Sequence, residues 1–255
     1  QSSLPLLTLI LGDDTVPASP QRIVGGTTTS VSNYPSIAAL LYSTSQIFYR
    51  QACGGTIVNK EYILTAAHCV NGDPTQRWRI RVGSSFANSG GSVFNLRSIF
   101  IHPLYNSAFM DYDLSILRTI TMISYSSLIQ PATLVEADFI LEDDQLVWAA
   151  GWGTTSAGGL PSEQLRHVQL KTVNQTICNS RYTGLGINIT DNMLCSGWLN
   201  VGGRDQCQGD SGGPLYHANN LVGVCSFGIG CATSMYPGVN TRVSRFIGWI
   251  MSITN

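Results

Sequence analysis

Apolar positions in this chain fall in short runs rich in β-branched and aromatic residues, separated by clusters of glycine, proline, serine and asparagine. Such runs, bounded by turn-forming residues, predict strands over 36–42, 55–58, 62–65, 79–82, 92–101 and 114–118. The habit repeats over 145–151, 166–170, 192–195, 214–217, 220–225 and 238–243. Helical spacing is clear in one place: Phe246, Ile247, Ile250 and Ile253 predict a helix over 243–253, with Ser244 able to cap it. Many short strands without intervening helices exclude a βαβ fold and leave a sandwich or a barrel, which periodicity does not separate.

Composition narrows the class. Of 255 residues, 44% are apolar, enough for one large domain or two small ones, and only 11% are charged. The formal net charge of −1 gives no electrostatic case for nucleic acid or an acidic membrane. No apolar run reaches the roughly 20 residues of a spanning helix. Leu4 to Leu11 resembles the end of a signal-peptide apolar region, so residues 1–22 are expected to be a signal remnant followed by an activation peptide, with the folded part spanning 23–255. None of the seven cysteines forms a C-x-x-C pair and no zinc spacing appears, so no metal and no cofactor is expected.

The chemistry lies in three motifs. Gly209-Asp210-Ser211-Gly212-Gly213-Pro214 holds a serine between glycines, where backbone N–H groups can approach a substrate oxygen unobstructed. Upstream stand Ala66-Ala67-His68-Cys69 and Asp111-Tyr112-Asp113-Leu114-Ser115. Histidine, aspartate and serine in that order are the parts of a nucleophilic relay: a base to take the hydroxyl proton, and an acid to orient the base. Gly209–Gly213 also fits the nucleophile elbow of α/β-hydrolases, but that fold needs an acid and a histidine after the serine, and no Asp or Glu follows Ser211.

With Ile23-Val24-Gly25-Gly26 after Arg22, these motifs resemble the chymotrypsin-like serine proteases, and trypsins most closely, from Ile23 to the C-terminus. The resemblance implies two six-stranded antiparallel barrels, about 23–130 and 131–255, with a C-terminal helix. It implies His68 as general base, Asp113 as its orienting acid in preference to Asp111, Ser211 as nucleophile, and the amides of Gly209 and Ser211 as an oxyanion hole. Ser226 would support Asp113. Asp205 would lie at the floor of a primary pocket selecting Arg or Lys, with Gln206, Ser226, Phe227, Gly228, Gly230 and Gly238 around it. Gln206 and Phe227 depart from the usual small hydroxyl residue and tryptophan; a broader, elastase- or collagenase-like preference is the enzymatic alternative, and an inert protease homologue the non-enzymatic one. Disulfides Cys53–Cys69, Cys178–Cys195 and Cys207–Cys231 are implied, each worth about 3 kcal/mol by chain entropy, leaving Cys225 as a buried thiol. Activation would cut Arg22–Ile23, and the new Ile23 amine would pair with Asp210. The loop 83–92 has no acid, so the calcium site of vertebrate trypsins is not expected. Asn174-Gln175-Thr176 and Asn188-Ile189-Thr190 are glycosylation sequons.

Twelve arginines against two lysines, Lys60 and Lys171, resemble the digestive trypsins of lepidopteran larvae, because guanidinium keeps its charge in alkali. The expected protein is thus a monomeric, secreted gut-lumen protease acting on proteins and peptides and subject to proteinaceous trypsin inhibitors.

Overall fold

Short strands leave exposed edges unless the sheet closes on itself, and this chain closes two. The computed structural model describes residues 24–156 and 158–255. Strand β1 (Thr27–Thr28) is followed by β2 (Ile37–Tyr42), β3 (Arg50–Ile57), β4 (Tyr62–Thr65), β5 (Trp78–Val82), β6 (Ser92–Ile101) and β7 (Ser115–Thr119). Strands β2 to β7 form a closed antiparallel ring in the order β2-β3-β4-β7-β6-β5. After β8 (Thr133–Leu134) come β9 (Leu146–Gly151), β10 (Arg166–Thr172), β11 (Met193–Gly197), β12 (Pro214–His217), β13 (Asn220–Phe227) and β14 (Gly238–Arg242). These six close a second antiparallel ring, β10-β11-β14-β13-β12-β9, sealed by pairing of β9 with β10. The two expected barrels are present.

Alternation decides which face is core. In β5, Trp78, Ile80 and Val82 are buried while Arg79 and Arg81 face outward. A shared apolar cluster joins the rings: Leu64, Ala66, Leu114 and Ile116 of the first meet Val147, Leu170, Leu215 and Val224 of the second, with Phe246 and Ile250 from the C-terminal end. Each such Leu or Ile contributes about 1.5–3 kcal/mol through burial. Ala66 and Leu114 lie two residues and one residue from His68 and Asp113, so the inter-barrel core seats the polar groups above it.

The ends of the described chain strap the barrels together. β1 pairs with β10 of the second barrel. Helix α3 (Ile247–Thr254) offers the Thr254 carbonyl to Nδ2 of Asn59, in the turn between β3 and β4, at 3.0 Å. Near Gln130-Pro131 the connection still touches the first barrel, the Ala132 amide donating to the Ile57 carbonyl at 2.8 Å, before β8 runs parallel to β13.

Two helical expectations need correction. The segment 243–253 is not one helix: Val243–Phe246 forms a 3-10 turn and α3 begins at Ile247. Ser244 is buried and caps nothing; Phe246 occupies the cap position without a side-chain bond. A second helix, α2 (Gln175–Thr183), has no counterpart in the sequence reading. Asn174 caps it, accepting from the Ile177 amide at 3.1 Å, while its Nδ2 donates to Asp143 at 2.7 Å. That nitrogen is the atom a glycan would occupy. Among the described residues no helix is long and apolar enough to cross a membrane.

Candidate active site

The short helix α1 (Ala67–Val70) follows β4 directly and carries His68 at the junction of the barrels. Asp113, 1% exposed, stands just before β7. Its Oδ1 accepts from the His68 amide at 2.8 Å and its Oδ2 lies 2.7 Å from His68 Nδ1. Ser226 of β13 donates its hydroxyl to Oδ2 at 2.5 Å, and Thr241 of β14 donates to the Asp113 carbonyl at 2.7 Å. An ionised carboxylate only accepts, so Nδ1 carries the proton and Nε2 is left as an acceptor. Asp111 points elsewhere: its Oδ1 accepts from Tyr112, Thr190 and Asn192.

Ser211 sits in a tight turn pinned from both barrels. Its carbonyl accepts from the Gly54 amide at 2.7 Å, and the Gly213 amide bonds the Asp210 carbonyl at 2.8 Å. Gly212 has φ +76°, and a Cβ there would fall 2.1 Å from Thr65 Oγ1 and 2.6 Å from the Gly54 carbonyl oxygen, so no other residue fits. The amides of Gly209 and Ser211 donate to no protein acceptor among the described residues. Two adjacent unspent donors beside a serine can receive an oxyanion.

A cavity of about 200 Å³ opens beside Ser211, lined by Asp205, Gln206, Ser226, Phe227, Gly228, Gly230 and Gly238. In its lining Asp205 is 5% exposed, with Oδ1 accepting from the Gln206 amide at 2.9 Å and Oδ2 from the Ala232 amide at 3.0 Å. Burial lifts its carboxyl to about 7, the two amides pulling the other way. No salt bridge reaches it among the described residues. A Cβ on Gly238 would fall 2.8 Å from Asp205 Oδ1, so a side chain there would block the carboxylate. Gln206 is also buried, and its Nε2 has no hydrogen-bond partner among the described residues. Phe227 packs edge-on against Tyr182.

Asp210 is enclosed behind the serine turn, accepting from the Gly153 amide at 2.8 Å and the Cys207 amide at 3.0 Å. Burial raises its carboxyl to about 6 against those two bonds. Val24 reaches this region, its carbonyl accepting from the Asp205 amide at 3.1 Å; Arg22 and Ile23 lie outside the described residues. Three disulfides, Cys53–Cys69, Cys178–Cys195 and Cys207–Cys231, are formed, the first behind His68 and the last across the cavity wall. Cys225 is a buried free thiol, pushed well up by burial.

Two supporting residues escape the sequence reading: Thr241, and Gln51, whose Nε2 donates to the Gly209 carbonyl at 2.8 Å. Both act across strands, and no local motif marks them.

The sequence has known relatives. A family model described as Trypsin matches residues 23–250. "Trypsin, alkaline C" of Manduca sexta is 59% identical over 235 residues, 92% of each chain. "Trypsin CFT-1" of Choristoneura fumiferana is 56% identical over 98% of each chain, and "Achelase-1" of Lonomia achelous 50% over 90% of this chain and 99% of its own. Matched from residue 23 to 250, a span that includes both barrels, the chain belongs to the trypsin family of serine endopeptidases.

Proposed function

We propose that this protein is a secreted digestive trypsin that cuts polypeptides after arginine and lysine, made as a precursor activated between Arg22 and Ile23. The observation that carries the specificity is a buried carboxyl, Asp205, without a salt-bridge partner among the described residues, in the lining of the cavity that Ser211 also lines. A substrate guanidinium or ammonium supplies the missing countercharge; a neutral side chain leaves the carboxylate uncompensated.

The reaction follows from the proton inventory. Ser211 Oγ adds to the scissile carbonyl carbon as His68 Nε2 takes its proton, and the carbonyl oxygen becomes an anion facing the Gly209 and Ser211 amides. Asp113, bonded to Nδ1, stabilises the imidazolium. The imidazolium returns its proton to the leaving amine as the C–N bond breaks. Water then repeats the sequence on the acyl-enzyme, restoring Ser211 and releasing the carboxylic acid.

Precursor activation has a parallel logic. Asp210 is buried without a cation among the described residues, next to Gly209 and Ser211. An Ile23 ammonium created by cleavage pairs with it and fixes that loop. The word "alkaline" in the Manduca names supports an alkaline working range, as does the excess of arginine over lysine.

Cleavage profiling on a mixed peptide library tests the reading, with cuts expected after Arg and Lys only. Asp205→Ser should lower kcat/KM on arginyl substrates by roughly 10³-fold or more, while Ser211 still reacts with a small sulfonyl fluoride. Ser211→Ala should abolish both. Retained arginyl preference in Asp205→Ser would assign the pocket floor to another acid.

A further inference from the structure

The first barrel carries a second, basic groove outside the catalytic cleft. About 580 Å³ in volume, it opens between the outer face of β5 and the loop leading into β3, and is lined by Ile47, Phe48, Tyr49, Arg50, Arg79 and Arg81. Its charge follows from strand geometry: with Trp78, Ile80 and Val82 turned into the core, the arginines between them project side by side. Arg77, in the 3-10 turn just before β5, is paired with Asp73 at 3.1 Å. Arg50, Arg79 and Arg81 have no salt-bridge partner among the described residues.

The other contacts orient these cations without neutralising them. Arg79 stacks over the Tyr49 ring at 4.0 Å, and Arg81 donates to the carbonyls of Asn88 and Gly90. The Nε atoms of Arg79 and Arg81 are buried without a hydrogen-bond partner. Glu163, the one carboxylate lining the groove among the described residues, is held by Asn88 at 3.0 and 2.7 Å and keeps its charge, which acts on Arg81 and leaves Arg50 and Arg79 as the uncompensated cations. At the lip, Ile47 and Phe48 are 71% and 81% exposed, adjacent apolar side chains that folding leaves uncovered. In a chain of net charge −1, such a concentration of cations beside an apolar lip fits an anionic partner that also carries an apolar residue.

The groove is joined to the active site through β3. Arg50 lies in it, and the next residue, Gln51, donates to the carbonyl of Gly209. The Asp205 cavity is lined by second-barrel residues, Ser211 among them, and the groove mainly by residues of the first barrel.

We propose that this groove is a docking surface for an acidic segment of a polypeptide substrate, lying downstream of the bond that is cut. The proposal rests on the cleft reading given above, in which the residue before that bond fills the Asp205 cavity. Residues after the bond then leave over the first barrel, where Asp and Glu side chains meet Arg50 and Arg79, and an apolar neighbour covers Phe48.

The test uses two internally quenched peptides, identical around one arginine and differing only in a downstream tail, acidic in one and amide-substituted in the other. Native enzyme should cleave the acidic-tailed peptide with a kcat/KM roughly three- to twenty-fold higher, the range for two exposed charge pairs, and the preference should fade in high salt. The double variant Arg50→Gln/Arg79→Gln should lose that preference yet cleave a small arginyl amide at the native rate. Arg245→Gln, the loss of one exposed cation on the second barrel, should retain it. Failure on the small amide by native enzyme would count against the cleft reading itself, separately from the groove.

Equal cleavage of both peptides by native enzyme overturns the proposal, as does a preference that survives the double variant or falls equally with Arg245→Gln. If the double variant does not fold, native enzyme alone decides. The acidic tail as a free peptide should inhibit cleavage of the acidic-tailed substrate but not of the small amide; inhibition of both, or of neither, overturns the groove as a separate site.

Discussion

At Asp205 the environment outweighs the residue type. A carboxyl that ordinarily ionises near 4 keeps its proton to about 7, because burial costs its charge more than two backbone amides return. The sign follows by linkage. Between about 4 and 7 the folded state holds a proton that the unfolded chain has released, so this group's contribution to stability falls as pH rises through that window. A bound cation reverses the balance, since it favours the carboxylate. An aryl amidine should therefore bind the His68→Ala variant, which has no competing imidazole, about tenfold more weakly per unit below pH 7 and with constant affinity above it. Calorimetry from pH 5 to 8 checks this; a flat dissociation constant would mean that Asp205 is ionised throughout. Motif reading pointed to His68 and Ser211, and to Asp111 or Asp113, because each lies in a distinctive local string. It missed Gln51 and Thr241, whose hydrogen bonds depend on strand neighbours far away in sequence.

At the scale of elements, strands with a continuous apolar or alternating run were legible almost to the residue: β4, β6 and β12 have the bounds expected. β3 starts at Arg50, five residues earlier than expected, because Arg50, Gln51 and Gly54 carry no apolar strand signal yet pair along β2. Helix α2 was invisible for a different reason. Only Cys178 and Tyr182 face the core from it, too few to make a periodic signal. Its stability leans on the Asn174 cap and the Cys178–Cys195 disulfide. Asn174→Ala should cost about 1 kcal/mol in denaturant unfolding, with kcat/KM unchanged, since α2 is remote from the relay. A loss of activity on that substitution would show coupling between α2 and the cavity through Tyr182 and Phe227.

For the whole molecule, two barrels must hold their junction while two charges there change with pH. Activity in alkali should depend on the Ile23 ammonium proposed above to pair with Asp210, whose carboxyl burial raises to about 6. An α-amine ordinarily deprotonates near 8; pairing raises that value, so the stabilisation is complete below about 8 and is lost as pH climbs through the raised value. The activity plateau should accordingly reach roughly pH 10, measured as kcat/KM on an arginyl amide, and the Arg22→Gln precursor should stay inactive across the range. A decline starting at pH 8 would remove the alkaline working range and leave the endopeptidase intact. Surface ion pairs such as Arg118–Glu61, at 2.7 Å, use arginine and persist under the same conditions.

The sequence by itself determined what is encoded locally: strand runs, the three motifs of the relay, and an acid six residues before the serine. Those depend on side-chain type and short spacing, which the chain carries unfolded. Tertiary structure decided what depends on distance between remote residues. Choosing Asp113 over Asp111 took a family likeness from sequence, whereas the fold does it by facing one toward His68 and the other toward Thr190 and Asn192. The buried state of Asp205, the unspent amides at Ser211 and the arginine groove arise only on barrel closure, because desolvation and charge proximity do not exist until the strands pair.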